Sequence, residues 1–253
     1  MKVFITGASS GIGEALARHY AGNGATLGLF ARRDAELARV AAALAPATVA
    51  TYAGDVRDAA ALALAGADFI ARFGAPDIVI ANAGVSHGVM TGEADDMPVF
   101  KAVFETNMQG LVQTFQPFLN AMGETRQGAL VGVASIAGFR GLPGSGAYSA
   151  SKAAAITYLE SLRVELKGSG VAVVTICPGF IATPMTERNP YRMPFLLAPD
   201  KAARLIARAI ARRRRFYVLP WQMAWVGRLL RVVPRPLYEF AFARAGRKPR
   251  RVP

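Results

Sequence analysis

The chain has 253 residues, 53% of them hydrophobic and 19% charged, which is more apolar material than a disordered chain carries. Its one cysteine, Cys177, cannot form an internal disulfide, so nothing calls for an oxidising compartment. The net charge of +13 is confined to the end of the chain: residues 1–200 hold 15 Lys and Arg against 16 Asp and Glu, residues 201–253 hold 15 against Glu239 alone, and nucleic acid is therefore not the expected partner.

The N-terminus reads MKVFITGASSGIG, a strand at Lys2–Thr6 running at once into a glycine turn and a helix, which leaves no room for a cleavable signal. Short β-branched or apolar runs recur at Ala25–Ala31, Thr48–Ala53, Asp77–Ala81, Gly128–Ala134 and Val171–Cys177, with alanine-rich segments of helical period between them. This alternation predicts a doubly wound parallel sheet, a Rossmann-type three-layer α/β/α fold whose ligands collect at the carboxyl ends of the strands. Gly141–Gly146 and Pro178–Pro199 read as substrate-facing loops. One unit is expected over residues 1–215, ending at the arginine run Arg212–Arg215, with residues 216–253 as a basic, partly apolar extension. No apolar stretch reaches the roughly 18–20 residues of a spanning helix, so a cytoplasmic location is expected.

Thr6-Gly7-Ala8-Ser9-Ser10-Gly11-Ile12-Gly13 follows the first strand. Gly7 allows a tight exit, Gly11 lets backbone approach a pyrophosphate, and Gly13 permits close helix packing, while the helix N-terminus favours an anion. Ser9, Ser10 and Ile12 lie within the same turn and join the candidate binding residues. An NAD enzyme of this architecture places an acid at the end of the second strand, but here that strand ends Phe30-Ala31-Arg32-Arg33. Two guanidiniums and no carboxylate favour the 2′-phosphate of NADP.

Tyr148 and Lys152 are four residues apart, so on a helix they share a face. An ammonium beside a phenol stabilises the phenolate, which makes Tyr148 a usable general acid for carbonyl reduction and a base for alcohol oxidation. Ser135, at the end of the fifth strand, is placed to hydrogen-bond a substrate oxygen as charge develops there. No Cys, His or carboxylate cluster has metal-ligand spacing, and no metal is expected.

Taken in order, the glycine turn, Asp55-Val56, Asn82-Ala83-Gly84, Asn107, Ser135 with Tyr148-Ser-Ala-Ser-Lys152, and Pro178-Gly179 resemble the classical short-chain dehydrogenase/reductase family over roughly residues 2–200. The resemblance implies that Asp55 meets the adenine edge and Val56 its face, and that Asn82, Ala83 and Gly84 line the cleft beside the ribose. It further implies that Pro178, Gly179, Ile181 and Thr183 flank the nicotinamide. Asn107 would anchor a water linking Lys152 to solvent, and Lys152 would also hold the ribose hydroxyls. A homodimer or homotetramer is implied, through the helices that carry Asn107 and Tyr148.

The expected function is thus NADP-dependent hydride transfer to or from a small-molecule carbonyl or alcohol substrate. Met185, Tyr191, Met193, Phe195, Leu196 and Leu197 could close over an apolar substrate or pack beneath their loop, and Arg188 and Arg192 could meet an anionic group. Rival readings are a protein that senses NADP without turnover and a nucleic-acid binder that uses the basic tail. In that tail a helix over Trp221–Val233 would align Trp221, Trp225, Leu229 and Val232 beside a stripe of Arg228, Arg231 and Arg235, before Leu237–Ala243 and the basic end Arg244–Arg251. Such a pattern suits peripheral contact with an anionic membrane, or packing on the substrate lid or a sister subunit.

Overall fold

The computed structural model describes residues 1–187, 189–243 and 246–250. Seven strands form one parallel sheet: β1 (Lys2–Thr6), β2 (Thr26–Ala31), β3 (Val49–Ala53), β4 (Ile78–Ala81), β5 (Ala129–Val133), β6 (Ala172–Pro178) and β7 (Phe216–Leu219). Their order, β3-β2-β1-β4-β5-β6-β7, reverses between β1 and β4 and opens a crevice at the carboxyl edge there. The helices are α1 (Gly11–Ala21), α2 (Asp34–Ala42), α3 (Ala59–Phe73), α4 (Met97–Phe104), α5 (Gly110–Phe115) and α6 (Leu119–Thr125). They continue with α7 (Gly146–Glu165), α8 (Pro184–Glu187), α9 (Pro199–Ala211), α10 (Trp221–Val232) and α11 (Arg235–Phe242).

Period-two alternation along the strands builds two cores. Val3, Ile5, Leu27 and Leu29 pack on one face against Leu16 of α1 and Ile206 and Ile210 of α9. Phe4, Phe30, Val79, Leu130 and Val173 face the other way, onto Phe69 of α3, Phe115 of α5 and Leu159 of α7. Each such fully buried side chain contributes about 1.5–3 kcal/mol relative to exposure. Asp58 caps α3 by accepting the amides of Ala60 and Ala61, and Pro199 starts α9, where its missing N–H costs nothing.

The six expected strands and the doubly wound sheet are present, but the sheet does not stop at residue 215. β7 pairs with β6 from Thr175↔Phe216 to Pro178↔Leu219, so the first residues of the expected extension are a seventh strand. Four residues between an arginine run and Pro220 are too short to carry a readable period; neighbours identify them, through Thr175 N–H on Arg215 O and Gly179 N–H on Leu219 O. α10 matches the expected tail helix to within a residue and ends where Pro234 forces Val233 out of helical conformation. Among the described residues no helix is long and apolar enough to cross a membrane.

Candidate active site and nucleotide cleft

Gly7 holds φ at +67°, which a side chain would strain, and a Cβ on Gly13 would strike the Gly7 carbonyl oxygen. The two glycines therefore aim the start of α1, with its unpaired amides, into the crevice between β1 and β4; Ile12 packs half-buried on the core behind it. Arg33 reaches from the end of β2 to this turn, its Nη2 3.3 Å from Ser9 Oγ and 3.1 Å from Ser10 Oγ. Arg32 diverges: it is 58% exposed and its Nη1 lies 3.9 Å from Asp55 Oδ2. Asp34 opens α2 and lies within its first turn. This cradle of amides, two hydroxyls and a guanidinium fits a dinucleotide phosphate.

Asp55 borders the cleft already engaged. Burial works to raise its pKa, but hydrogen bonds from the Arg57 side chain and amide, with the charges of Arg57 and Arg32, hold it below the usual carboxylate value. Val56 is buried, and both its side chain and its carbonyl oxygen lie against Gly110. Asn82 works structurally: its Nδ2 donates to Thr6 O (3.1 Å) and Gly7 O (3.2 Å), tying β4 to the glycine turn. Ala83 closes on Gly7, and Gly84 stands where a Cβ would be 3.5 Å from Lys152 Nζ.

α7 carries both Tyr148 and Lys152. Lys152 is buried, donates from Nζ to Val133 O at 2.8 Å, and stands 5.9 Å from the centre of the Tyr148 ring. Burial pushes the Tyr148 phenol above its usual range, while the adjacent Ser135 hydroxyl pulls the other way. Burial also lowers Lys152 to about 8. The expected lowering of Tyr148 by Lys152 is therefore absent in the protein alone, because both groups are desolvated and desolvation disfavours charge on each. Ser135 Oγ also accepts the Ala137 amide at 3.1 Å, which fixes it at the end of β5.

Asn107 lies in a single π turn, Glu105–Gln109, between α4 and α5. Its Oδ1 accepts the Val85 amide (2.8 Å) and its Nδ2 donates to Val85 O and Ser151 Oγ (3.0 Å each). Both amide hydrogens are committed, so Asn107 positions the loop after β4 against α7, and a relay water would rest on its remaining acceptor capacity. On the far side, Pro178 ends β6, Gly179 donates to Leu219 O at 2.7 Å, and a Cβ there would meet Met223 Cγ at 2.8 Å. Ile181 is bridged to Leu197, and the Thr183 methyl lies 3.1 Å from where a Gly11 Cβ would stand, so the two walls of the crevice meet at that point.

The sequence pattern of the family described as short chain dehydrogenase matches residues 1–192. The chain belongs to the short-chain dehydrogenase/reductase family. It is 40% identical over 242 residues, 95% of each chain, to an uncharacterized oxidoreductase of Myxococcus xanthus. Among solved structures, a short-chain dehydrogenase/reductase of Burkholderia phymatum in complex with NAD superposes with a TM-score of 0.83 at 26% identity, covering 99% of this chain and 98% of that one. An alcohol dehydrogenase of Thermococcus sibiricus complexed with 5-hydroxy-NADP gives a TM-score of 0.77 at 28% identity, covering 86% and 95%.

As a short-chain dehydrogenase/reductase the chain is an oxidoreductase that transfers hydride with a nicotinamide cofactor. The loops after β4, β5 and β6 stand at the carboxyl edge of the sheet. In the last of these, Leu197 is buried, Tyr191 packs near Phe180 with ring centres 6.3 Å apart, and Met185, Phe195 and Leu196 remain exposed at the rim. Arg192 is exposed, whereas Arg188 lies outside the described residues. Reasoning from the sequence did not single out Thr6, Val85, Ser151, Arg57 or Met223. Thr6, Val85, Ser151 and Met223 act through contacts far along the chain, so no local spacing signals them, whereas Arg57 holds Asp55 from two residues away. Among the described residues no cluster of His, Cys, Asp or Glu could hold a metal ion.

Proposed function

We propose that this protein is an NADPH-dependent reductase of an apolar ketone or aldehyde. The observation that carries the cofactor choice is Arg33, which meets two serine hydroxyls at the phosphate turn with no carboxylate at the end of β2. NADPH, when bound, supplies the hydride. Tyr148 gives its proton to the carbonyl oxygen, and the Ser135 hydroxyl donates to the same oxygen as negative charge grows there. Lys152 keeps positive charge beside the phenol and reaches the cofactor ribose, while Asn107 holds the surrounding loop in register. Loss of NADPH absorbance with a panel of ketones and aldehydes tests the reading; no consumption with any of them overturns it.

A pH dependence follows from Lys152. With its pKa at about 8, below the ordinary lysine value, it carries its charge at neutral pH and loses it as pH rises through that value. Carbonyl reduction, which needs both that charge and the Tyr148 proton, is expected to fall above pH about 8. A pH profile of kcat/KM that climbs through this range contradicts the assignment.

The proposal extends to a peripheral location on anionic membrane. α10 is anchored inward by Met223 and by Gly227 against Phe139, yet Trp225 is 62% and Val232 75% exposed, with Trp221 and Leu229 beside them and Phe240 of α11 at 84%. Arg228, Arg231 and Arg235 are exposed beside them; Arg231 lies 4.2 Å over the Phe139 ring and Arg228 4.9 Å over that of Trp225. Apolar side chains so exposed, among arginines worth roughly 1 kcal/mol each near an anionic surface, suit a bilayer interface. Co-sedimentation with phosphatidylserine vesicles, but not neutral ones, should fall at high salt and with Trp225→Ser. Equal recovery with neutral vesicles argues instead for a protein interface. A homodimer or homotetramer is also proposed, on the exposed Phe100 of α4 and Val164 of α7, and light scattering of the full chain reads it directly.

A further inference from the structure

The described end of the chain, Gly246–Arg250, does not trail into solvent. It crosses the loops after β6, β5 and β4 in turn. Gly246 lies against Tyr191 of the loop after β6, Arg247 against Gly144 of the loop after β5, and Lys248 donates from Nζ to Ser86 Oγ of the loop after β4 at 2.8 Å. The Gly88 amide then donates to Pro249 O at 3.1 Å, and Gly88 pairs with Arg250 as a parallel bridge. A Cβ on Gly88 would strike the Lys248 carbonyl oxygen, so the loop after β4 accepts this strap only because a glycine stands there.

The strap is latched at its end. Arg250 Nε and Nη2 meet the two Asp96 carboxylate oxygens at 2.9 and 3.2 Å, and Glu93 is 3.2 Å away. Asp96 is buried and also accepts the Met90 amide at 2.7 Å; without Arg250 its carboxylate would be left with that neutral partner. The Arg250 hydrogen bond, and then the Met90 amide, hold this carboxyl below its ordinary value.

Lys248 is the contrasting case. Arg250 spans two carboxylates, whereas among the described residues the Lys248 ammonium, with three donors, meets the neutral Ser86 hydroxyl and no carboxylate. Ser86 directly follows Val85, which is clamped by Asn107 and packs, as Tyr148 does, on the cluster of Val89, Val103 and Ala147. A half-buried cation without a counter-charge at the edge of a substrate cleft is completed by an anion. Burial lowers its pKa to about 8, which leaves it predominantly charged at neutral pH.

We propose that Gly246–Arg250 is a wall of the substrate cleft, latched by Arg250 on Asp96, and that the Lys248 ammonium receives a carboxylate carried by the substrate at a distance from its carbonyl. This rests on the reductase reading and amends its substrate class to oxo-carboxylic acids, whose carbonyl lies on an apolar chain that ends in a carboxylate. The test compares oxo-carboxylates of four to eight carbons with their methyl esters, measured as kcat/KM for NADPH oxidation. The wild type should favour the acids, and Lys248→Met should lower the acid-to-ester ratio about 10- to 100-fold, as expected for a lost hydrogen bond to a charged group. Lys248→Arg should restore most of the ratio. Arg250→Ala should lower the ratio with Lys248 intact, while the melting temperature reports whether the fold is kept. A wild type that treats acids and esters alike, or a ratio that Lys248→Met leaves unchanged, overturns the proposal. If no carbonyl is turned over, the reductase reading fails by itself, and the Lys248 site is then decided by binding of hexanoate against hexanamide to the NADPH-loaded protein. Tighter hexanoate binding that Lys248→Met abolishes supports the site, and equal binding rejects it.

Discussion

Tyr148→Phe is expected to reduce carbonyl turnover by about a hundred- to ten-thousand-fold, the range a positioned general acid supplies, while NADPH still binds. The substitution removes one hydroxyl and keeps the ring that packs on the buried cluster of Val89, Val103 and Ala147, so the cleft should hold its shape. That hydroxyl is the group beside which Ser135 sits, and burial keeps it protonated at neutral pH, as a proton donor in the reducing direction must be. Ser135→Ala should cost less, because it removes a hydrogen bond to the developing charge and leaves the proton source in place. Single-turnover NADPH oxidation measures the chemical step, and a fluorescence titration measures cofactor binding. Turnover by Tyr148→Phe at the wild-type rate would remove Tyr148 from the mechanism.

The sheet and its carboxyl edge were legible because their signals are local. Val3, Phe4 and Ile5 are apolar in succession because β1 is covered on both faces, and the glycines of the turn follow it immediately. The pairing of Tyr148 with Lys152 was legible for the same reason, since one helix carries both. What depends on distant packing was not. Lys152 was expected to lower the phenol, but the same burial that positions it weakens its own charge and raises Tyr148, and burial cannot be read from a spacing of four. The packing of Val56 against Gly110 of α5, some fifty residues later, has no local signal either. β7 was hidden in a basic segment because its partner β6 lies some forty residues earlier. The strap was missed because a run of Arg, Lys and Pro has no period; only the buried Asp96 and the bare Gly88 show where it belongs.

The cofactor prediction separates two arginines that the sequence treats alike. Arg33→Ala should weaken NADPH about 10- to 100-fold more than NADH, because a 2′-phosphate placed by Ser9 and Ser10 would lose one charge-assisted donor pair there. Arg32→Ala should do less: its guanidinium is mostly exposed and turned towards Asp55, so water and that carboxylate already compete for it. Replacing both should give the largest loss, since Arg32 adjoins Arg33 in the chain and its exposed side chain is held only by a long contact to Asp55. Removing Arg33 also frees the Ser9 and Ser10 hydroxyls, which remain able to donate to a ribose hydroxyl or a pyrophosphate oxygen, so NADH binding should survive. Dissociation constants for both cofactors, measured for the wild type and the three variants, give the comparison. Equal losses for NADPH and NADH, or a wild type that prefers NADH, would show that the 2′-phosphate is not read at the end of β2.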